Sequence, residues 1–154
     1  MNETDIKFLR AAIDVARRAR EGGNHPFGSV LVDGDGKLVL EAGNSVLTER
    51  DPTGHAETNL ARQAYARFDA QYLAACTLYT STEPCAMCCG AIFWAGIGRL
   101  VYALSQEKFH EWFVPPSTPT LRLGSREVFA RGERPVEVVG PAIEAEARTV
   151  HEGF

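Results

Sequence analysis

The sequence lacks the features that mark several special classes of protein. No apolar run approaches the roughly 20 residues that cross a bilayer, and the first ten residues, MNETDIKFLR, contain no apolar signal stretch. Basic residues are also fewer than acidic ones: the chain has 16 Lys and Arg but 20 Asp and Glu, which gives a net charge of −4. Nucleic-acid partners usually require a basic face. We therefore expect a cytoplasmic protein without a membrane or nucleic-acid partner.

Cysteine is scarce and unevenly placed. Of four cysteines, Cys76 stands alone, whereas Cys85, Cys88 and Cys89 fall within five positions. Such a cluster is typical of a metal site in a reducing compartment and not of a disulfide framework. With 154 residues, 45% of them hydrophobic, the chain can bury a core without disulfides. We expect residues 1–154 to form a single domain.

Hydrophobic spacing and turn signals predict alternating helices and strands. Asp51 and Pro52 predict the start of the second helix as its N-cap and first residue. The predicted strands cover 27–32, 37–42, 77–82, 99–102 and 136–139, and the predicted helices 4–20, 51–68, 86–95, 105–112 and 142–150. This order indicates a layered α/β fold with a mixed sheet. The second and third helices should lie on the same face of that sheet.

The strongest chemical signal is H-A-E at 55–57 followed by P-C-A-M-C at 84–88. His55, Cys85 and Cys88 offer three zinc ligands, and a three-ligand site keeps its fourth tetrahedral position for water, as catalytic sites do. Cys85 and Cys88 are three positions apart, so one helical turn puts both sulfurs on one face. A helix beginning after Pro84 would place Cys85 at its positive end, which favours the thiolate.

Glu57 follows His55 by two positions. In a regular helix two such side chains diverge by about 200°. They approach one point only if the metal lies beside the first turn of the helix. In that position Glu57 would reach a metal-bound water without being a ligand.

Together these residues form the H-x-E…P-C-x-x-C signature of zinc deaminases. The chain resembles the cytidine-deaminase-like superfamily over residues 4–112, and within it is most similar to bacterial guanine deaminase and related base deaminases. Residues 51–57 and 83–92 are close in sequence to those deaminases, and residues 24–28 resemble the Pro-Phe-Gly start of their first strand. The resemblance implies a three-layer α/β/α fold around a mixed five-stranded sheet, one Zn²⁺ per chain and a homodimer.

The resemblance also implies hydrolytic deamination of a free nucleobase or base-like ring. Zinc-activated water would add to the amine-bearing carbon while Glu57 takes the water proton and hands it to the ring nitrogen. Glu57 would then protonate the departing amine, and ammonia leaves. Guanine, isocytosine, cytosine and amino-triazines such as ammeline all present an amine beside a ring nitrogen, so the base stays open. The implied substrate contacts are Asn44 and the backbone amide of Ala56 or the carbonyl of Ser81 or Glu83. We also expect Phe27 as an apolar wall and a tail residue, Phe154 or His151, as a lid over the bound base.

The remaining cysteine, histidine and aromatic residues have mostly structural interpretations. Cys76 and Cys89 are expected in the core, Phe93 and Trp94 in the core or an interface, and His110 and His151 at the surface or in the tail; the roles of His25 and Glu107 stay open. The third helix is apolar on more than one face, and such a helix needs cover from more than one layer. A second subunit would supply it, which independently favours a homodimer.

Two other functions compete with this interpretation. A tRNA adenosine deaminase shares the zinc motif, but it needs a basic surface, and the last predicted helix has the acidic sequence AIEAEAR. A non-catalytic module stabilised by zinc would need four protein ligands. Cys89 is the remaining sulfur, and helical geometry turns it away from Cys85 and Cys88.

Overall fold

The computed structural model describes all residues from Met1 to Phe154. Five strands are present: β1 (Gly28–Val32), β2 (Leu38–Gly43), β3 (Thr77–Thr82), β4 (Arg99–Leu104) and β5 (Glu137–Val139). Eight helices accompany them: α1 (Glu3–Glu21), α2 (Val46–Glu49), α3 (Ala56–Arg67), α4 (Ala70–Ala74), α5 (Ala86–Ala95), α6 (Gln106–Phe113), α7 (Ser125–Ala130) and α8 (Glu144–Thr149). None of these helices combines the length and apolar composition that crossing a membrane requires.

The strands form one five-stranded sheet in the order β2-β1-β3-β4-β5. β1 pairs antiparallel with both β2 and β3, whereas β3–β4 and β4–β5 are parallel. The parallel pairs are joined through helices, as parallel connections require. The predicted mixed sheet is therefore confirmed, with β4 reaching two residues beyond its predicted end.

Helices cover both faces of the sheet. On one face α3 packs on β1 and β2 and against α5, and Leu60, Leu78 and Ile92 of the core on this face are all fully buried. On the other face α1 packs through Leu9 against Val101, and α8 joins the same cluster. The prediction that the second and third helices share a face is confirmed, and the three-layer arrangement follows from these two cores.

β1 and α1 touch without an intervening side chain at Gly28. A Cβ placed there would lie 2.3 Å from Ala16 N and 2.5 Å from Ala12 O, which is far inside van der Waals contact. Glycine is the residue that permits backbone to approach this closely. The helix thus rests directly on the first residue of the strand.

The predicted start of the second helix is wrong. The Asp51 carboxylate accepts hydrogen bonds from Thr53 N at 2.9 Å and Thr53 Oγ1 at 2.7 Å, forming a turn instead of a helix cap. Asp and Asn side chains commonly bond the backbone two residues on in this way. α3 begins at Ala56, with His55 as its N-cap.

Two side chains, one aromatic and one imidazole, bear on further expectations. Trp94, expected in the core or an interface, is 81% exposed and so lies outside the core of this chain, which leaves the interface. His151, expected at the surface or in the tail, is only 5% exposed and so is not a surface residue. Its burial reflects packing by sequence-distant elements, described with the site below. The expected core positions of Cys76 and Cys89 are confirmed, since both are buried in the α3–α5 cluster.

Candidate active site

The three predicted metal ligands meet where two helices begin. His55 is the N-cap of α3 and Cys85 is the N-cap of α5, while Cys88 lies in the first turn of α5. Neither N-cap side chain caps its own helix, although the side chain usually does so at this position. Both are turned toward a common point, and the ligand atoms of all three residues lie within 4.8 Å of one another.

The spacing of these ligand atoms fits zinc. His55 Nδ1 lies 3.5 Å from Cys85 Sγ and 3.5 Å from Cys88 Sγ. A tetrahedral zinc with ordinary Zn–N and Zn–S bonds requires an N···S separation of about 3.5 Å. One imidazole with two sulfurs is also a donor set that zinc prefers. Three ligands of this kind leave one coordination position for water.

The sulfurs differ in their surroundings. Hydrogen bonds from Cys88 and His55 lower the pKa of the Cys85 thiol below its usual range, against the opposing effect of burial. Cys88 is fully buried and its Sγ accepts a hydrogen bond from Thr58 Oγ1 at 3.2 Å. A donor of this kind orients a ligand from outside the coordination sphere. Thr58 was not predicted, because its only signal is its place one turn into α3.

Glu57 lies beside the ligand cluster at the start of α3. It is only 5% exposed, and Thr80 Oγ1 on β3 donates to its Oε1 at 2.6 Å. Burial raises the pKa of the Glu57 carboxyl, and the Thr80 hydrogen bond partly offsets the shift. A buried carboxyl whose pKa lies closer to neutrality can both take and give a proton, as general acid–base catalysis requires.

A cleft of about 670 Å³ opens above these residues, a size typical of small-ligand sites. His55, Glu57 and Cys85 line its inner end. Its walls are mostly apolar and come from five parts of the chain. The other lining residues are His25, Phe27, Asn44, Val46, Pro52, Thr82, Glu83, Met87, Gln106, Phe109, His110, Pro119, Thr120 and Leu121.

Three of the expected substrate contacts line this cleft. Phe27 forms part of the apolar wall, in edge contact with Phe109 at 5.5 Å between ring centroids. Asn44 Oδ1 accepts from Val46 N at 3.1 Å, so its Nδ2 remains a donor. The carboxylate of Glu83 is bound to backbone groups of α6 and α7.

The other three expected contacts do not line the cleft. Ala56 and Ser81 are fully buried, and the Ser81 hydroxyl accepts a hydrogen bond from Gly28 N at 3.1 Å. Phe154 is 58% exposed and contacts His25 from outside, with 5.3 Å between ring centroids. A lid function of Phe154 would therefore require the tail to move.

His151 supports the apolar wall from behind. Its ring lies 5.2 Å from Phe27, 5.0 Å from Phe109 and 5.1 Å from Phe113 between centroids. Burial, with a smaller contribution from Arg20, lowers the pKa of His151 to about 4, so the imidazole is neutral at pH 7. A histidine four residues from the chain end carries no sequence signal for this role. His110, expected at the surface, lines the cleft.

Comparison with known proteins agrees with this chemistry. The model of the cytidine and deoxycytidylate deaminase zinc-binding region matches residues 2–104. A probable cytosine deaminase of Schizosaccharomyces pombe is 45% identical over 156 aligned positions, which cover 100% of this chain and 94% of that protein. The similarity to this relative thus continues through the residues beyond the matched region.

Solved structures show the same fold. A guanine deaminase from Bacillus subtilis is 31% identical, with a TM-score of 0.66 over 100% of this chain and 96% of that one. A structure from work on A-to-I editing by tRNA:A34 deaminases is 29% identical, with a TM-score of 0.69 over 94% of this chain and 99% of that one. With its zinc ligand geometry, buried glutamate and matched motif region, the chain belongs to the cytidine and deoxycytidylate deaminase family of zinc-dependent hydrolases.

Proposed function

We propose that this protein hydrolytically deaminates a free nucleobase and that cytosine is the first base to test. The observation that carries the proposal is the buried carboxyl of Glu57 beside three zinc ligands at the inner end of a mostly apolar cleft. A flat ring fits between apolar walls, and its amine-bearing carbon would face the metal position. Guanine, isocytosine and ammeline are the alternatives of the same chemical kind.

In this reaction different residues of the chain would bind the metal, transfer protons and hold the ring. His55, Cys85 and Cys88 would hold a zinc ion, which when bound would lower the pKa of water to about 7. Glu57 accepts a proton from water at its carboxylate and delivers it to the ring nitrogen beside the amine. It then takes the second water proton, from the hydroxyl added to the ring carbon, and passes it to the amine, which leaves as ammonia when the C–N bond breaks. Thr80 fixes the carboxyl orientation through Oε1. Phe27 provides the ring with an apolar wall, and Asn44 Nδ2 offers a donor to a ring carbonyl.

The preference for cytosine comes from the part of the chain after residue 104. The similarity to the S. pombe probable cytosine deaminase spans the full chain. Phe109, His110 and Leu121 belong to this later part and line the cleft. Residues that surround the outer part of a ring decide which ring fits, so similarity there bears on the substrate more than similarity at the metal.

A tRNA substrate is the competing possibility, supported by the likeness to a tRNA:A34 deaminase structure. Electrostatics favour the free base. Glu144 and Glu146 make α8 acidic, in a chain with a net charge of −4, whereas binding to phosphates is driven by basic surfaces.

Ammonia release decides between these substrates. Purified zinc-loaded protein is incubated separately with cytosine, guanine, isocytosine, ammeline and an adenosine-34 tRNA stem-loop, with Glu57→Gln as the control for contaminating activity. We expect turnover of a free base, highest with cytosine, and none in the control. Deamination of the stem-loop alone would overturn the free-base proposal, whereas turnover of guanine alone would overturn only the choice of cytosine.

We also propose that residues 1–154 form one catalytic domain that works as a homodimer in the cytoplasm. Trp94 projects from α5 with most of its surface exposed, which supports cover by a second subunit. All four cysteines are free thiols, and Cys85 and Cys88 must stay reduced to bind zinc, which suits a reducing compartment.

A further inference from the structure

The Glu83 carboxylate lies between the starts of two helices. Its Oε1 accepts a hydrogen bond from Gln106 N, the first residue of α6, at 3.0 Å. Its Oε2 accepts two bonds from Ser125, the first residue of α7: 2.9 Å from N and 2.7 Å from Oγ. Both oxygens of one side chain are therefore bound to elements that are 19 positions apart in the sequence.

Electrostatics favour this arrangement. The first N–H groups of a helix have no acceptor within the helix, and the helix dipole places partial positive charge there. A carboxylate that accepts these N–H groups makes charge-assisted hydrogen bonds, which are stronger than neutral ones. Glu83 satisfies two helix starts with one carboxylate, and each of its oxygens holds one of them.

The segment between these two helix starts forms one side of the cleft. Pro119, Thr120 and Leu121 line the cleft from the loop 114–124. Gln106 adds a second connection, because its Nε2 donates to Pro84 O at 2.8 Å and to Leu123 O at 3.1 Å. The loop is thus bound at its C-terminal end to the residues that immediately precede the metal ligand Cys85.

We propose that Glu83 is a positioning residue that holds the 114–124 loop against the substrate cleft, at a fixed distance from the metal ligands. The carboxylate acts by fixing where α6 and α7 begin. Without it the loop loses its anchor at Ser125, and the wall formed by residues 119–121 moves away from the ring.

The test is Glu83→Gln, with Glu127→Gln as the matched control. A glutamine keeps one acceptor oxygen, but its amide nitrogen cannot accept an N–H, so one of the two helix starts is released. Glu127 is an exposed carboxylate two residues after Ser125, and its change removes the same charge without releasing a helix. This kinetic test rests on the proposed function and uses whichever base the screen identifies.

For Glu83→Gln we expect KM to rise about tenfold, the effect of losing hydrogen bonds to a charged group, with kcat within about twofold and zinc content unchanged. We expect KM to change and kcat to stay nearly constant because the loop would contact the substrate ring and not the groups that transfer protons. Ser125→Ala, which removes only the hydroxyl donor, should raise KM by a smaller factor. Unchanged KM in Glu83→Gln, or lost zinc with a fallen kcat, would overturn the proposal.

Trypsin gives a second readout that needs no substrate. Arg122 is exposed in the loop, and cleavage after it is identified by fragment mass. Cleavage at this site should be faster in Glu83→Gln than in wild type, while Glu127→Gln should match wild type. Equal cleavage rates in all three proteins would refute the anchor even if no base proves to be a substrate, so the two proposals fail separately.

Discussion

Glu57 depends on a residue that is distant in the sequence. The carboxyl belongs to α3, and the hydroxyl that orients it belongs to Thr80 on β3. Because Thr80 is fully buried, water cannot replace it easily as a donor. The proposed proton carrier is therefore held by the packing of α3 on the sheet as well as by its own helix.

Replacing Glu57 with glutamine should separate chemistry from metal binding. The amide cannot take a proton from water, whereas the zinc ligands stay intact, so we expect kcat to fall at least about 10²-fold. Zinc content by atomic absorption and the thermal midpoint should both match wild type. Ordinary turnover in the zinc-loaded variant would mean that another group moves the proton.

The two neighbouring cysteines of α5 should respond differently to substitution. Cys85→Ser should lose zinc and lower the thermal midpoint, because serine is a much poorer zinc ligand than a thiolate. Cys89→Ala should keep its zinc, since Cys89 Sγ lies near Pro84 O, at 3.5 Å, in the core. Metal content per chain is the measurement. Full zinc content in Cys85→Ser would refute its assignment as a ligand.

At this scale the sequence predicts the residues whose function depends on local spacing. His55, Glu57, Cys85 and Cys88 are identifiable because each pair is separated by fewer than four positions. Thr80 and His151 are not, because their contacts arise from packing between elements 23 or more positions apart. For Glu83 the sequence predicts only a backbone contact, and the structure reveals that its carboxylate binds the starts of α6 and α7.

Among the elements, the C-terminal segment is attached more firmly than its position suggests. Arg20 Nη1 donates to Val150 O at 2.9 Å and to Glu152 O at 2.6 Å, which ties the segment to α1. His151 fills the space behind Phe27 and Phe109. The segment therefore supports the cleft wall from behind and is bound to α1 through Arg20.

The burial of His151 should make stability depend on pH. Its pKa is lowered to about 4, while the unfolded chain binds that proton near pH 6.5, so the stabilisation is full above pH 6.5 and is lost as pH falls toward 4. Between pH 7 and pH 5 this contributes roughly 2 kcal/mol, or about 4–8 °C in Tm. Calorimetry of His151→Phe should show a smaller decrease over that interval. An equal decrease in both proteins would contradict the assignment.

Helices and strands with a clear hydrophobic period or a residue that ends them are predictable from this sequence. A boundary is not predictable where a side chain bonds a nearby turn instead of capping the helix. β3 and α5 match their predicted bounds because β3 is rich in β-branched and aromatic residues, whereas α5 is a largely apolar run ended by Gly96. The start of α3 is missed because Asp51 bonds Thr53 instead of a helix. The short α2, α4 and α7 contain too few residues for their periodicity to be recognised.

On the scale of the whole molecule, light scattering tests the proposed dimer. A homodimer should give a mass near twice 16.8 kDa at micromolar concentration. Trp94→Glu should shift the mass toward the monomer, because it places a charge where an apolar contact is expected, while Tyr65→Glu, on the exposed side of α3, tests whether the interface extends there. A monomeric wild type would mean that Trp94 is exposed in solution.

The backbone contact between α1 and Gly28 fixes the position of the cleft wall that begins at the neighbouring Phe27. Phe27, on the apolar wall, immediately precedes this glycine, and Ser81 accepts the Gly28 N–H. A single added methyl group would have to displace backbone atoms of α1, and interiors packed this densely transmit such a displacement instead of absorbing it. The width of the cleft therefore depends on the contact between α1 and Gly28, although neither α1 nor Gly28 lines the cleft.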